Sequence, residues 1–263
     1  MRSSVLIAFG LLATFAPVSA IFRPGGYYGG GHRPPPPYGG GHSDDCKTSS
    51  APTTPTTPPT TTPTPTTPPK KCPTGFHHFN RTASALNSQT SEWCMKVVTS
   101  PTAIKIQDGA AFCKTANAAA VPTMFENANE KETLSADFGS WLATQSPPPP
   151  LGAFGTDGRR VPQCISRDQG VLQGPDCGRT KSFVLNDPHT DPTYAWTIWA
   201  PTEPSANFWS PDIEECIQYA IDGTSPTRTN LLNDIYCNRV VAPNDPEWPV
   251  YWNYGMLCGM APQ

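Results

Sequence analysis

One short stretch of this sequence has residue types that could carry chemistry. It is WAPTEPSANFW, residues 199–209, in which Glu203 is followed directly by Pro204 and Ser205. The acidic motif EEC follows at 214–216. A carboxylate beside a proline indicates either an ordinary exposed turn or a metal and sugar site built on a constrained peptide bond. The surrounding sequence has to decide between these two interpretations.

Charge is distributed unevenly along the chain, although the formal net charge is only −3. From Cys72 onward there are 12 Lys and Arg against 19 Asp and Glu. Between Glu203 and Glu247 eight acids are opposed only by Arg228 and Arg239. This acidity disfavours nucleic acid as a partner. It is compatible with a bound cation and also with a solvated acidic surface.

The first 20 residues have the pattern of a secretory signal peptide. Arg2 supplies a positive start, residues 5–15 are mostly apolar, and residues 18–20 are small. Because a bilayer span needs roughly 20 apolar residues, this run is too short to be a membrane anchor. No later segment is apolar enough to span a membrane. The sequence therefore predicts a secreted, extracellular protein without a membrane span.

Two low-complexity segments follow the signal peptide. Residues 21–50 form a Gly- and Pro-rich tail with few aliphatic side chains, and we expect it to be disordered. Residues 51–71 form a stalk, in which positions 51–69 contain ten Thr, eight Pro and one Ala. Proline favours extended backbone and the threonines are acceptors for O-glycans, so we expect a stiff, mucin-like linker.

The cysteine content fits an extracellular protein stabilised by disulfides. One cysteine, Cys46, lies in the tail, and an even set of eight lies at or after position 72. Eight cysteines allow about 105 pairings, so spacing alone leaves the connectivity open. No pair has C-x-x-C spacing, which disfavours a zinc ribbon.

Residues 72–263 are long enough to form one domain with a good core, and two of their segments have helical patterns. The segment 107–120 has Asp108 as a candidate N-cap. The segment 129–145 places four apolar residues on one helical face: Leu134, Phe138, Trp141 and Leu142. Beyond residue 150 short apolar runs alternate with Pro, Gly, Asn and Asp, which predicts short strands and long loops. The predicted class is α+β.

Six motifs occur in the order typical of one family: CPTGF at 72–76, EWC at 92–94, WAPTEPS at 199–205, EEC at 214–216, LLNDIYC at 231–237 and YGMLCG at 254–259. With the two helices, they resemble a long-form C-type lectin domain of the secreted invertebrate type over nearly all of 72–263. The resemblance implies a C-type lectin-like fold, in which two helices and small antiparallel sheets are joined by long, disulfide-tied loops.

The resemblance also implies the disulfide pairing. The implied pairs are Cys72–Cys94, Cys113–Cys258, Cys164–Cys177 and Cys216–Cys237. Each should stabilise the domain by roughly 2–4 kcal/mol, chiefly by restricting the unfolded chain. Cys46 is then left over, and an interchain bond through it would make a dimer.

The resemblance further implies a Ca²⁺ site, because sugar-binding members join the Glu-Pro pair by a cis peptide bond. Glu203, Glu214, Asn233 and Asp234 match the family's ligand positions. Calcium takes six to eight oxygen ligands from carboxylates, amide carbonyls and water. Two neighbouring sugar hydroxyls would complete the shell, and the Glu-Pro pattern points weakly to mannose-type hydroxyl geometry.

The chain departs from the sugar-binding pattern at two positions of this site. Ser205 stands where those members have Asn or Asp, and Leu232 stands where they have tryptophan. Ser205 remains a candidate ligand for the metal and the sugar, with one hydroxyl in place of a carboxamide. Trp209, beside the loop, is the best candidate for stacking on a sugar ring.

Motifs of enzymes are absent from the sequence. After the stalk there are only three histidines, and neither H-E-x-x-H nor G-x-S-x-G occurs. Glu214 and Glu215 are adjacent, whereas a glycosidase needs two carboxyls roughly 5–9.5 Å apart across one bond. The motif FGTDGRR at 154–160 lacks phosphate-loop spacing and predicts a turn between strands. Asn80 begins the only N-x-S/T sequon and is a predicted N-glycosylation site.

These observations predict a non-enzymatic, secreted lectin that binds self or microbial glycans through Ca²⁺. The alternative is a Ca²⁺-independent domain of the same fold that binds protein or serves as a component of extracellular matrix.

Overall fold

The computed structural model describes residues 69–146, 152–209, 211–222, 228–240 and 253–263. The predicted signal peptide, the tail with Cys46 and most of the stalk lie outside the described residues. Lys71, assigned above to the stalk, already exchanges two backbone hydrogen bonds with Gln263, at 2.8 and 3.0 Å. Within the described ranges no helix is long and apolar enough to cross a membrane.

The main sheet has seven strands. Its strands are β1 (His77–Asn80), β2 (Glu92–Thr99), β3 (Val121–Pro122), β4 (Gly152–Thr156), β9 (Cys216–Asp222), β10 (Leu231–Ile235) and β11 (Asn253–Met260). They are ordered β1-β2-β11-β4-β9-β10, with β3 also paired to β11. Only the β11–β4 pair is parallel among the described pairs. The last chain segment therefore lies at the centre of the sheet.

Two pairs of short strands lie outside the main sheet. The strand β5 (Arg159–Arg160) pairs with β6 (Phe183–Val184), and β7 (Phe208–Trp209) pairs with β8 (Asp212–Ile213). The segment between β4 and β5 is the turn predicted at FGTDGRR, and Gly158 adopts φ +136° there. A side chain is strained at such a φ, which is why glycine suits this turn.

The helices are α1 (Gly109–Ala116), α2 (Ala128–Ala143) and the single-turn α3 (Gln169–Leu172). In α2 the predicted apolar face is confirmed, because Leu134, Phe138 and Leu142 are buried in the main core and Trp141 packs on Phe138. The N-cap position predicted for α1 is confirmed, although the capping hydrogen bond of its side chain is not formed. Asp108 occupies the N-cap position without a side-chain cap bond, and a 3₁₀ turn over Ile106–Asp108 leads directly into the helix.

Four disulfides connect these elements: Cys72–Cys94, Cys113–Cys258, Cys164–Cys177 and Cys216–Cys237. They are the pairs that the family resemblance implied. Cys113–Cys258 fixes α1 to the central strand β11, and Cys216–Cys237 joins the start of β9 to the residues after β10. The second bond fastens the end of the sheet where the candidate site lies.

Candidate functional site

Three chain segments meet where β9 begins and β10 ends. They are the loop 199–207, Glu214 just before β9, and the middle of β10. Backbone hydrogen bonds attach the loop to β10: Leu232 donates to the Ile198 carbonyl and accepts from the Ala200 amide, both at 2.8 Å. The pairing of β10 with β9 then places Glu214 beside the same loop.

The loop backbone has an unusual course that side chains hold in place. Glu203–Pro204 is a cis peptide bond, and Thr202 and Ala206 have φ of 70° and 53°. Positive φ is unfavourable for residues with a Cβ, so neighbouring contacts have to stabilise it. The carboxylate of Asp234 does so, accepting from the amides of Ser205 at 3.0 Å and Ala206 at 2.7 Å.

Glu214 holds the same loop from the other side. Its Oε2 atom accepts hydrogen bonds from the Ser205 hydroxyl at 3.1 Å and the Asn207 amide at 2.9 Å. The Asn233 side chain donates through Nδ2 to the Asp234 carbonyl at 2.8 Å. The structure thus brings Ser205, Glu214 and Asp234 together at the loop that contains Glu203, whereas the described bond of the Asn233 side chain is to the backbone of its neighbour.

Two arginines contact the carboxylates directly. Arg160 in β5 donates through Nη2 to the Asp234 carboxylate and through Nε to the Glu214 backbone carbonyl, the latter at 2.7 Å. Arg228 donates through Nη2 to Oε1 of Glu203 at 3.0 Å. Both guanidinium groups therefore supply positive charge within the cluster of acids.

A third arginine holds the loop through its backbone. Arg179 donates to the carbonyls of Glu203 at 2.8 Å, Trp199 at 3.1 Å and Ala200 at 2.6 Å. A guanidinium group offers five donors in a rigid fork, and here three bonds gather the first half of the loop around one side chain.

Burial determines the electrostatics of the cluster. Glu203 and Glu214 are only 3% and 1% exposed, and Asp234 is fully buried. Burial, followed by a hydrogen bond and charge repulsion from Asp234, raises the pKa of Glu203 to about 7. Burial, followed by the charge of Asp234, raises the pKa of Glu214 to about 8. Burial also lowers the pKa of Arg160, against the opposing effect of Asp234.

Sequence reasoning assigned none of the three arginines to the site, although Arg228 was counted among the charges of the acidic segment. Arg160 belongs to the FGTDGRR turn and Arg179 to the segment after the Cys164–Cys177 bridge, and neither resembles a site motif. Arg160 lies 74 residues from its partner Asp234 in sequence, and Arg179 lies 20 residues from Trp199 in the loop. The one signal in the sequence was the excess of acidic over basic residues between Glu203 and Glu247, which indicates that cations from other parts of the chain balance this region. The side chain of Trp209 lies outside the described part of the structure, so its stacking role stays a prediction.

The arrangement of oxygens does not fit a bound Ca²⁺. Both oxygens of Asp234 accept N–H groups, Oε2 of Glu214 accepts two donors, and Oε1 of Glu203 faces Arg228. Oε2 of Glu203 is buried without a partner and would be one available ligand. Four of the six carboxylate oxygens of Glu203, Glu214 and Asp234 are thus already bonded to protein donors, whereas calcium requires six to eight oxygens that face it. Within the described residues no group of three or more His, Cys, Asp or Glu is arranged to hold a metal ion.

The fold and the site together define a C-type lectin domain. A family model described as C-type lectin domain-containing protein 141/158 matches residues 78–261. This chain belongs to the C-type lectin domain family.

Two relatives from Caenorhabditis elegans are similar in sequence. C-type lectin domain-containing protein 141 is 43% identical over 204 residues, which cover 73% of this chain and 67% of the relative. C-type lectin domain-containing protein 158 is 34% identical over 194 residues, which cover 73% of this chain and 90% of the relative.

Solved structures resemble the chain more distantly. A complex of SPL-1 with GlcNAc has a TM-score of 0.40 and 15% identity, covering 72% of this chain and 94% of that one. The Ca²⁺-independent C-type lectin SPL-2 from Saxidomus purpuratus has a TM-score of 0.40 and 14% identity, covering 72% and 93%. At these scores the likeness is no basis for assigning a ligand.

Proposed function

We propose that this chain is an extracellular lectin that binds carbohydrate at the loop 199–207 and the adjacent end of β10. The observation that carries the proposal is that Glu214 and Asp234 bond to the loop that contains Glu203 and Ser205, all four of which are predicted site residues. Membership of the C-type lectin domain family supports a binding function rather than a catalytic one. Four disulfides support an extracellular location.

The groups available to a sugar lie on the rim of this cluster. Asn207 and Asn230 are exposed, and Ser205 and Arg228 are partly exposed. Their amide and hydroxyl groups can donate to and accept from sugar hydroxyls, and the guanidinium group can donate to them. Trp209, which the sequence places beside them, is proposed to stack on the sugar ring.

The sequence also predicts that Ca²⁺ takes part in sugar binding. Direct coordination would require Glu203, Glu214, Asn233 and Asp234 to turn oxygens toward one ion. The carboxylates of Glu203, Glu214 and Asp234 are buried and accept hydrogen bonds from protein donors. The geometry therefore favours sugar binding without calcium. The loop is then a rigid platform, and its rim provides the contacts.

A glycan array tests the proposal. The full chain, secreted from a eukaryotic host so that its disulfides form, is applied in millimolar calcium and in EDTA. We expect the same set of glycans to be bound in both conditions. A variant that combines Asn207→Ala with Arg228→Met should bind them more weakly. Glu132→Gln, an exposed change on α2, is the control. Empty arrays in both conditions would reject carbohydrate binding and favour the protein-binding alternative.

A further inference from the structure

We propose that arginine side chains take the place of a bound cation in this loop. Arg160 and Arg228 balance the buried carboxylates, and Arg179 holds the loop backbone. The inference deepens the proposed function and rests on it only for the identity of the site. It predicts a recognition loop whose structure is independent of the calcium concentration.

Arg160 is built into the site from a different part of the chain. It is 4% exposed, and its guanidinium lies over the ring of Phe183 at 4.6 Å from the centroid. Its backbone amide also donates to the Glu215 carbonyl at 3.0 Å. A buried guanidinium is costly without an anionic partner, and here Asp234 supplies one. The position of this cation is therefore fixed by packing, by backbone pairing and by charge.

Arg228 balances a second carboxylate at the surface of the cluster. Its side chain is 26% exposed, whereas that of its partner Glu203 is 2% exposed. The guanidinium therefore covers the buried acid from the solvent side. An ion approaching Glu203 from solvent would have to displace this contact.

The charges make the replacement quantitative. Arg160 and Arg228 contribute two positive charges, the same as one Ca²⁺, and each bonds to the carboxyl group of one buried acid, Asp234 or Glu203. Unlike a bound ion, the two guanidinium groups are part of the chain and do not dissociate. They also donate along fixed directions, which suits the single bonds to Asp234 and Glu203.

Calcium titration of the full chain tests the inference without a glycan. We expect no binding heat on addition of millimolar calcium, and the same melting temperature in calcium and in EDTA. A ligand that binds only the folded state raises the melting temperature. A stoichiometric heat together with a calcium-dependent rise in melting temperature would overturn the proposal.

Variants supply the second measurement. Arg160 is buried and its removal can prevent folding, so the partly exposed Arg228 is the residue to change first. Arg228→Met should lower the melting temperature in EDTA, and calcium should restore part of the loss by taking the vacated charge position. Arg159→Met is the matched control, because Arg159 is exposed and its described contacts are to the sulfurs of Cys216 and Cys237. A folded Arg228→Met variant that gains no response to calcium would contradict the proposal.

The two proposals fail in different ways. An empty glycan array with calcium-independent melting would reject the lectin function and leave the arginine substitution intact. Glycan binding that disappears in EDTA, with melting that depends on calcium, would support the lectin function and reject the arginine substitution.

Discussion

At Glu203 and Glu214 the protein buries two carboxyl groups beside a third, that of Asp234. Burial favours the protonated, neutral form of each acid, and the neighbouring negative charge adds to the effect. The pKa of Glu203 is therefore raised to about 7 and that of Glu214 to about 8. Near neutral pH this part of the protein holds protons that the unfolded chain would release.

This proton uptake predicts how stability depends on pH. Between the ordinary value of 4.5 and the raised values, the folded state binds more protons than the unfolded state. The contribution of these two groups to the free energy of unfolding should therefore be largest below pH 4.5. It should fall as the pH rises from 4.5 through 7 to 8. For Glu203 the difference between 4.5 and about 7 corresponds to about 3 kcal/mol as an upper bound. Urea denaturation in EDTA at pH 5 and pH 8.5 measures it.

Two variants isolate the contribution of Glu203 from those of other acids. Glu203→Gln keeps an acceptor for Arg228 and is neutral at every pH, so its stability should fall less between pH 5 and pH 8.5. Glu132→Gln removes an exposed carboxylate of α2 and should fall as the wild type does. An identical fall in the wild type and in Glu203→Gln would contradict the raised pKa.

At the scale of elements, the loop 199–207 depends on its neighbours for its conformation. It lies between a bridge to Leu232 and the anchoring carboxylates of Asp234 and Glu214. Arg179 donates three hydrogen bonds to carbonyls of the loop. One side chain therefore holds together the backbone of its first half. The conformation of the loop is thus held by contacts with other elements.

Removal of Arg179 should loosen this loop. Arg179→Met keeps much of the side-chain length but removes the guanidinium donor from three carbonyls, of which that of Ala200 keeps the Glu203 amide. We expect a loss of about 1–3 kcal/mol in the free energy of unfolding. We also expect faster hydrogen exchange at the Ala200 and Glu203 amides, which bond to Leu232 and to Ala200.

Lys181→Met is the matched control for this change. Lys181 also donates to a backbone carbonyl, that of Pro175 at 2.6 Å, but it is exposed and does not contact the loop through a described bond. Its loss should leave exchange at Ala200 and Glu203 unchanged. Equal exchange rates in Arg179→Met and the wild type would show that the loop is held by other contacts.

The elements differ in how far the sequence could predict them. The apolar face of α2 follows from local spacing, and the sequence therefore predicted it correctly. The residue type of Asp108 predicted the N-cap position of α1. It could not predict the 3₁₀ turn over Ile106–Asp108 that precedes the helix. In the site, motifs of the family identified the acids. Arg160 and Arg179 could not be found in this way, because long-range packing brings Arg160 to Asp234 and Arg179 to the loop.

At the scale of the whole molecule, distant parts of the chain are joined across the core. Arg81 donates to both carboxylate oxygens of Glu130 at 2.7 and 3.0 Å, so the segment after β1 is linked to α2 by a buried ion pair. The same side chain donates to Thr190 and to the carbonyls of Met124 and His189. The disulfides link other elements to one another covalently.

The four disulfides should differ in how much they stabilise the domain. Cys113–Cys258 closes a sequence separation of 145 residues, whereas Cys164–Cys177 closes one of 13. A longer closed loop removes more entropy from the unfolded chain, which gives about 5 kcal/mol for the first bond and about 3 kcal/mol for the second. Replacement of each pair by alanine, followed by urea denaturation of the otherwise oxidised protein, compares them. The Cys164–Cys177 variant is the internal control, since both changes remove two sulfurs and one buried bond. A larger loss from the short loop would mean that native-state packing around the Cys164–Cys177 bridge, rather than restriction of the unfolded chain, determines the effect.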